Sequence, residues 1–275
     1  MEIFQTSEQL KRWRRGREQV AFVPTMGYLH AGHESLLAEG RRRGKSLVLS
    51  IFVNPAQFGP REDLSRYPRN LEADLEAARR HGVDAVFVPE AAAIYPSGFQ
   101  TYVEVRELSR PLCGASRPGH FVGVATVVFK LFHLVAPDLA LFGQKDFQQL
   151  QIIRRMVRDL DLDVEIVGMP IVREPDGLAL SSRNSYLSEA ARTRSLCLSR
   201  GLVAAERAFS VGERNASALM QTAMAEIVDV KLDYLELRDA ESLALTEGSL
   251  LRPTVLAVAA FVDTTRLIDN VVLCP

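Results

Sequence analysis

From residue 20 onward, short uninterrupted apolar runs alternate with longer stretches in which apolar residues recur every three or four positions. VAFVP at 20–24 runs into a Gly-containing turn and then an amphipathic stretch over about 32–43, predicting one strand–turn–helix unit. SLVLSIFVN from Ser46 lacks polar alternation, which predicts a strand buried on both faces, as parallel strands are. RNLEADLEAARRHG predicts a helix stopping at Gly82, VDAVFVP a third strand, and Pro118 the opening of a long helix that ends before Pro137. DLALFG, the helical KDFQQLQIIRRMVRDL and VEIVGMPIV carry the alternation to a fifth strand. The fold class this implies is α/β, a Rossmann-like doubly wound parallel sheet.

After about Pro175 the texture changes. Two polar-faced helical stretches lie between Glu189 and Val230, and the runs LDYLEL, TVLAVAAFV and TRLIDNVVL predict a small mixed sheet. The expected organisation is a Rossmann-like domain over 1–178 and a smaller C-terminal α+β domain over 179–275, able to act as a lid. No repeat or low-complexity segment interrupts the chain.

Composition narrows the function classes. Of 275 residues, 47% are hydrophobic and 24% charged, the balance of a globular protein with a self-sufficient core. Lysine and arginine total 33 against 34 acidic residues. A net charge of -1 offers no global field for nucleic acid, so anion binding is expected to be local. Cys113, Cys197 and Cys274 lack zinc-site spacing and are expected to be reduced thiols. The N-terminus is too charged for the apolar centre of a signal peptide, and the longest apolar stretch, 121–135, carries Lys130 and His133. The expectation is a cytoplasmic protein with no membrane partner.

The first strand ends in PTMGYLHAGHESL, placing Gly27, His30, Gly32 and His33 where the chain enters a helix. Doubly wound sheets bind ligands at such crossings. Unpaired amides and positive potential at a helix N-terminus suit phosphate, glycine permits close backbone approach, and histidine adds donors. A Gly-containing turn with two surface histidines is the competing account. GLALSSRNSYLS supplies a second basic element, in which Ser181, Ser182 and Arg183 offer two hydroxyls and a guanidinium fork to phosphate, although a serine-rich loop also serves as a helix cap. Ser188 before Glu189 looks like such a cap. Asn54 and Gln57 lie just past the second strand, where neutral amides suit a small hydroxy acid, or solvent. In a sheet ordered 3-2-1-4-5, Lys145 and Asp146 after the fourth strand would face the histidine loop. There lysine meets phosphate and aspartate meets ribose or water-bridged magnesium, with an ordinary helix-start Asp as the alternative. Arg117 and His120 either border the site or cap the long helix.

MGYLHAGH resembles the HxGH signature of the adenylyl-transferring superfamily. With SIFVNPAQF, YPRNLEADL, GASRPGHFVGVATVV, LFGQKDFQQL and GLALSSRNSYLS in order over residues 24–188, and more weakly ELRDAESL and RLIDN, the chain is similar to the pantothenate synthetase family over nearly its whole length. Cys113 stands where the family usually has an acidic residue, and Gln144 where glutamate also occurs. The resemblance implies a ligase that condenses pantoate with beta-alanine through a pantoyl adenylate, with ATP as substrate, Mg2+ as cofactor and a homodimer as the assembly. It implies ATP contacts at Met26, Gly27, Tyr28, Leu29, His30, Ala31, Gly32, His33, Gly143, Gln144, Lys145, Asp146, Val172, Leu180, Ser181, Ser182 and Arg183. His30, His33, Lys145, Ser181, Ser182 and Arg183 are the catalytic candidates, with His33 implied as proton donor. Gln57 and Gln149 are implied for pantoate, with Asn54 placed beside them, and Gln57 also for beta-alanine. Magnesium is expected through the ATP phosphates, since no cluster of carboxylates resembles an all-protein cage, and Asp74 is a candidate outer ligand only. Two rival readings share some of these features: a nucleotidyltransferase acting on a phosphorylated alcohol, and a noncatalytic nucleotide- or RNA-binding module.

Overall fold

The computed structural model describes residues 1–60 and 62–275. Its chain forms two units, one comprising Met1–Ser109, Arg117–Gln144 and Gln149–Pro170, the other Arg110–Ser116, Lys145–Gln148 and Ile171–Pro275. The main junction lies at Pro170/Ile171, and two short segments that precede it in the chain, Arg110–Ser116 and Lys145–Gln148, belong to the second unit.

In chain order, the first unit is built on β1 (Glu2–Phe4), α1 (Ser7–Arg14), β2 (Val20–Thr25), α2 (Ala31–Arg43), β3 (Ser46–Ile51), α3 (Leu71–Arg80), β4 (Ala85–Phe87) and α4 (Ala91–Ile94). It continues with α6 (His120–Val135), β5 (Leu139–Gly143), α7 (Phe147–Asp159) and β6 (Glu165–Met169), while the short helix α5 (Cys113–Ser116), which precedes α6 in the chain, and the first two residues of α7 belong to the second unit. The six strands form one parallel sheet, ordered β1-β4-β3-β2-β5-β6. Without β1 this is the expected 3-2-1-4-5 arrangement. Every residue of β3 is buried, as its unbroken apolar run requires. Ala21, Val23, Leu47, Leu49, Val86 and Leu141 pack with Leu36 and Leu37 of α2 on one face. β2 and β5 are neighbours, pairing Ala21 with Leu139, so the chain leaves both at the carboxyl edge where the strand order reverses.

Four elements have no counterpart in the sequence pattern: β1, α1 and the four-residue helices α4 and α5. β1 is only three residues long, too short for a periodic signal. α1, however, opens on a capping box between Thr6 and Gln9, a T-x-x-Q signature present in the sequence. α6 begins at His120, two residues after Pro118, on a left-handed Gly119.

The second unit contains α8 (Glu189–Ser210), α9 (Ala216–Glu226), β7 (Lys231–Asp239), β8 (Thr254–Val262) and β9 (Thr265–Leu273). Ser188 caps α8 by accepting from Ala191 N at 3.2 Å. The sheet β7-β8-β9 is antiparallel throughout, correcting the expected mixed sheet. The reason is local: only Asp263 and Thr264 separate β8 from β9, and a two-residue turn joins antiparallel strands alone. Leu198, Leu202, Leu219, Leu237, Leu256 and Val258 centre its own core. No helix among the described residues is long and apolar enough to cross a membrane. All three cysteines are thiols, Cys113 and Cys197 buried and Cys274 exposed.

Candidate active site

In the first unit, the turn between β2 and α2 is shaped by two consecutive left-handed residues, Gly27 at φ +81° and Tyr28 at φ +54°. A Cβ on Gly27 would lie 2.9 Å from both Asp74 Oδ2 and Ile51 Cγ2, so glycine is required here for space as well as conformation. Asp74, only 3% exposed, accepts from Tyr28 N at 2.8 Å and Leu29 N at 2.7 Å. Both carboxylate oxygens are therefore engaged in holding the turn. This role escaped sequence reading, although an acid on the same helical face as buried Ala77 and Ala78 was a usable signal.

His30 caps α2. Its Nδ1 accepts from Gly32 N at 3.1 Å, while its own amide donates to His33 Nδ1 at 3.4 Å. The two rings lie 4.1 Å apart and 38° from coplanar. A ring nitrogen that accepts an N–H cannot carry the proton, so both imidazoles suit the neutral form with hydrogen on Nε2. The backbone thereby sets two Nε2–H donors at the positive end of a 13-residue helix. Met26, Ala31 and Gly32 belong to this same turn.

Asn54 and Gln57 sit on the turn after β3, where Pro55–Gln57 forms a 3-10 helix. Asn54, 1% exposed, donates to Gln57 Oε1 at 3.0 Å and Gly123 O at 3.1 Å, and accepts from Tyr95 Oη at 2.8 Å and Ala56 N at 3.3 Å. Its donors and acceptors are all in use, which makes it the support of Gln57. Burial, then the neighbouring Tyr102, pushes the Tyr95 phenol up to about 12, so it remains a donor at neutral pH. Gln57 Nε2 lies 3.1 Å from Met26 Sδ, bringing Gln57 to the histidine turn.

Arg117 makes a two-pronged ion pair with Glu62, Nε–Oε1 and Nη2–Oε2 both 2.7 Å. It also donates to His120 Nε2 at 3.0 Å, and His120 Nδ1 donates in turn to Gln57 O at 2.8 Å. Burial pushes the Glu62 carboxyl up, but the hydrogen bonds and charge of Arg117 outweigh it and hold the group below its ordinary value. Arg117 and His120 thus brace the loop carrying Gln57. Gly143 ends β5, Gln144 begins a 3-10 turn, and Gln149 is half-buried on α7.

In the second unit, residues 172–180 form a tight hairpin: Leu180 N donates to Val172 O at 3.0 Å and Glu174 N to Leu178 O at 2.8 Å. Ser181 caps the following 3-10 turn, its Oγ accepting from Arg183 N at 3.3 Å, and Ser182 is buried. Lys145 is half-buried and Asp146 exposed. No cluster of three or more His, Cys, Asp or Glu among the described residues has the arrangement of a metal cage.

The family model described as pantoate-beta-alanine ligase matches residues 2–272 of this chain. A pantothenate synthetase of Geobacter sulfurreducens is 56% identical over 263 residues, covering 94% of this chain and 93% of that protein. The crystal structure of pantothenate synthetase from Thermus thermophilus is similar at a TM-score of 0.96 and 44% identity, covering 100% of both chains. The pantoate-beta-alanine ligase of Francisella tularensis, crystallised with beta-gamma ATP and beta-alanine, gives a TM-score of 0.80 at 31% identity over 98% of this chain and 97% of its own.

Proposed function

The chain belongs to the pantoate-beta-alanine ligase family, and on that footing we propose that it joins pantoate to beta-alanine at the expense of ATP, releasing AMP and pyrophosphate. The pantoate carboxylate attacks the α-phosphorus and pyrophosphate leaves; the beta-alanine amine then attacks the acyl carbon of the pantoyl adenylate and AMP leaves. Neither step needs a protein nucleophile. Rate comes from in-line alignment and from donors placed where negative charge grows on the phosphates.

The observation that carries this reading is the pair of Nε2–H donors that the Asp74-held turn presents at the start of α2. In the proposed assignment His30 and His33 donate to ATP phosphates, with His33 giving the hydrogen bond that strengthens during transfer. Lys145, Ser181, Ser182 and Arg183 supply the remaining phosphate contacts. Met26, Gly27, Tyr28, Leu29, Ala31, Gly32, Gly143, Gln144, Asp146, Val172 and Leu180 complete the nucleotide set. Gln57 and Gln149 bind pantoate, Gln57 also meets beta-alanine, and Asn54 acts on pantoate by orienting Gln57.

Magnesium enters as the ATP complex in this proposal. Among the described residues no group of three or more His, Cys, Asp or Glu could hold a metal ion, and Asp74 has both oxygens accepting from amides. The C-terminal unit is proposed to act as a lid over the nucleotide, the assembly to be a homodimer and the compartment the cytoplasm; light scattering would read the mass and cell fractionation the location.

The deciding experiment follows pyrophosphate and AMP from MgATP, first with pantoate alone and then with beta-alanine, with taurine as control amine. Pyrophosphate with pantoate alone, and AMP with pantothenate only after beta-alanine, is the expected result. Absence of both products from folded protein would sink the proposal and bring the nucleotidyltransferase and binding-module readings forward.

A further inference from the structure

Two adjacent residues of β9 grip two stretches of the second unit that are distant in sequence. Asp269, 4% exposed, receives Arg173 Nη1 at 2.6 Å and Nη2 at 3.0 Å. The same guanidinium donates to Gly177 O at 3.1 Å, so it spans the hairpin whose end leads into Ser181–Arg183. Asn270, 3% exposed, donates from Nδ2 to the main-chain carbonyl of Lys145 at 2.9 Å. Asp269 Oδ1 also accepts the Asn270 amide at 2.8 Å, linking the two grips. Successive strand residues project to opposite faces, which lets one dipeptide reach two separate segments.

We propose that Asp269 and Asn270 are positioning residues for adenylate formation, holding the Lys145 segment and the Ser181–Arg183 turn in one register. The inference rests on the function proposed above. Neither residue contacts substrate in this account. Each acts through a group it anchors, Asn270 through the Lys145 backbone and Asp269 through Arg173. A bidentate arginine–carboxylate pair fixes angle as well as distance, and a buried amide-to-carbonyl bond resists sliding because breaking it strands a polar atom. Transfer geometry is steep in such displacements: a misplacement of about 1 Å can cost about a hundredfold in rate.

The prediction separates the two substrates. The residues assigned to pantoate, Gln57 and Gln149, lie in the first unit, whereas the segments gripped by β9 carry residues assigned to the nucleotide only. Single-turnover formation of pantoyl adenylate by the full-length protein is therefore the measurement, with ATP and pantoate varied independently in Asn270→Ala and Asp269→Asn. Asn270→Ala is expected to slow the step by about tenfold to a hundredfold at saturating substrates, with the pantoate concentration for half-maximal rate unchanged and the ATP dependence weakened. Asp269→Asn, which keeps the shape and an acceptor for Arg173 but loses the charge, should show the same pattern to a smaller degree. It decides the matter if Asn270→Ala does not fold. Wild-type rates in folded variants, or equal weakening of the ATP and pantoate dependences, would overturn the inference while leaving the proposed function intact. Failure of both variants to fold would make the dipeptide a core element and overturn it as well. An inactive wild-type protein would instead remove the reading on which it rests.

Discussion

A single substitution at His33 would remove two things together: the Nδ1 acceptor of the His30 amide and the Nε2–H that the proposed function directs at phosphate. His33→Ala is expected to slow single-turnover adenylate formation by about a hundredfold or more, the scale of losing one transition-state donor. A wild-type rate would remove His33 from the chemistry. Asp74 poses the complementary case, a buried carboxylate that shapes the turn from beneath. Asp74→Ala strands two partly buried amides, and hydrogen bonds to charged groups are worth about 1.5–3 kcal/mol each. Urea unfolding should show a loss of about 3 kcal/mol or more, accompanied by slower pyrophosphate release from what remains folded. Unchanged stability would mean that the turn holds itself. The histidines were legible because their motif is contiguous, and resemblance to a family assigned them a role. Asp74 was not, because its partners lie about 45 residues upstream and no local spacing announces the pairing.

Helix α6 shows how an element can set a site it does not enter. A Cβ on Gly123 would stand 2.2 Å from Ala56 O and 2.6 Å from Gln57 N, so the backbone of α6 lies directly against the 55–57 turn. Gly123→Ala must therefore push the turn rather than a flexible side-chain tip. The expected results are a stability loss of about 2 kcal/mol, as for an overpacked core, and a rise in the pantoate KM larger than any change for ATP. Equal effects on both substrates would contradict the placement of Gln57 at the pantoate site. At this scale the sequence was most readable where burial is uniform. β3 and the order of the five main strands followed from unbroken apolar runs and helix spacing. β1 was lost because three residues, two of them exposed, carry no pattern. The antiparallel β8–β9 pair was legible in principle, since Asp263 adopts φ +52° in a two-residue turn whose brevity excludes a parallel crossover. Its misreading as part of a mixed sheet came from counting strands without weighing the connection. The grips of Asp269 and Asn270 could not be read from a strand pattern, because their partners are fixed only by tertiary structure.

Over the whole chain, carboxylates tie stability to pH in one direction. Glu34, Glu39, Glu62, Glu174, Asp176 and Asp239 are all held below their ordinary values. The causes differ: a His81 hydrogen bond leads for Glu34, the Arg192 fork for Glu174 and the Leu178 amide for Asp176. For Asp239, burial works the other way and is outweighed by the Ser242 amide and hydroxyl together with the Glu241 amide and the charge of Arg252. A group whose folded pKa is depressed binds fewer protons folded than unfolded, so its stabilisation is complete above the unfolded pKa and drains away as pH falls through the folded one. With ordinary values of 4.5 for Glu174 and 3.8 for Asp176, that window opens below 4.5. Repulsion reinforces the loss, because protonating the 34 acids leaves 33 lysines and arginines unopposed. Carboxylate linkage should therefore add no slope to the urea midpoint between pH 7 and 5 and should pull it steeply down below 4.5. Glu174→Gln, which keeps a hydrogen-bonding side chain beside Arg192 but cannot titrate, should start lower at pH 7 and fall less steeply in that window. Parallel curves for variant and wild type would show that the Arg192 cluster contributes nothing to the acid slope, and a midpoint constant down to pH 3 would contradict the linkage altogether.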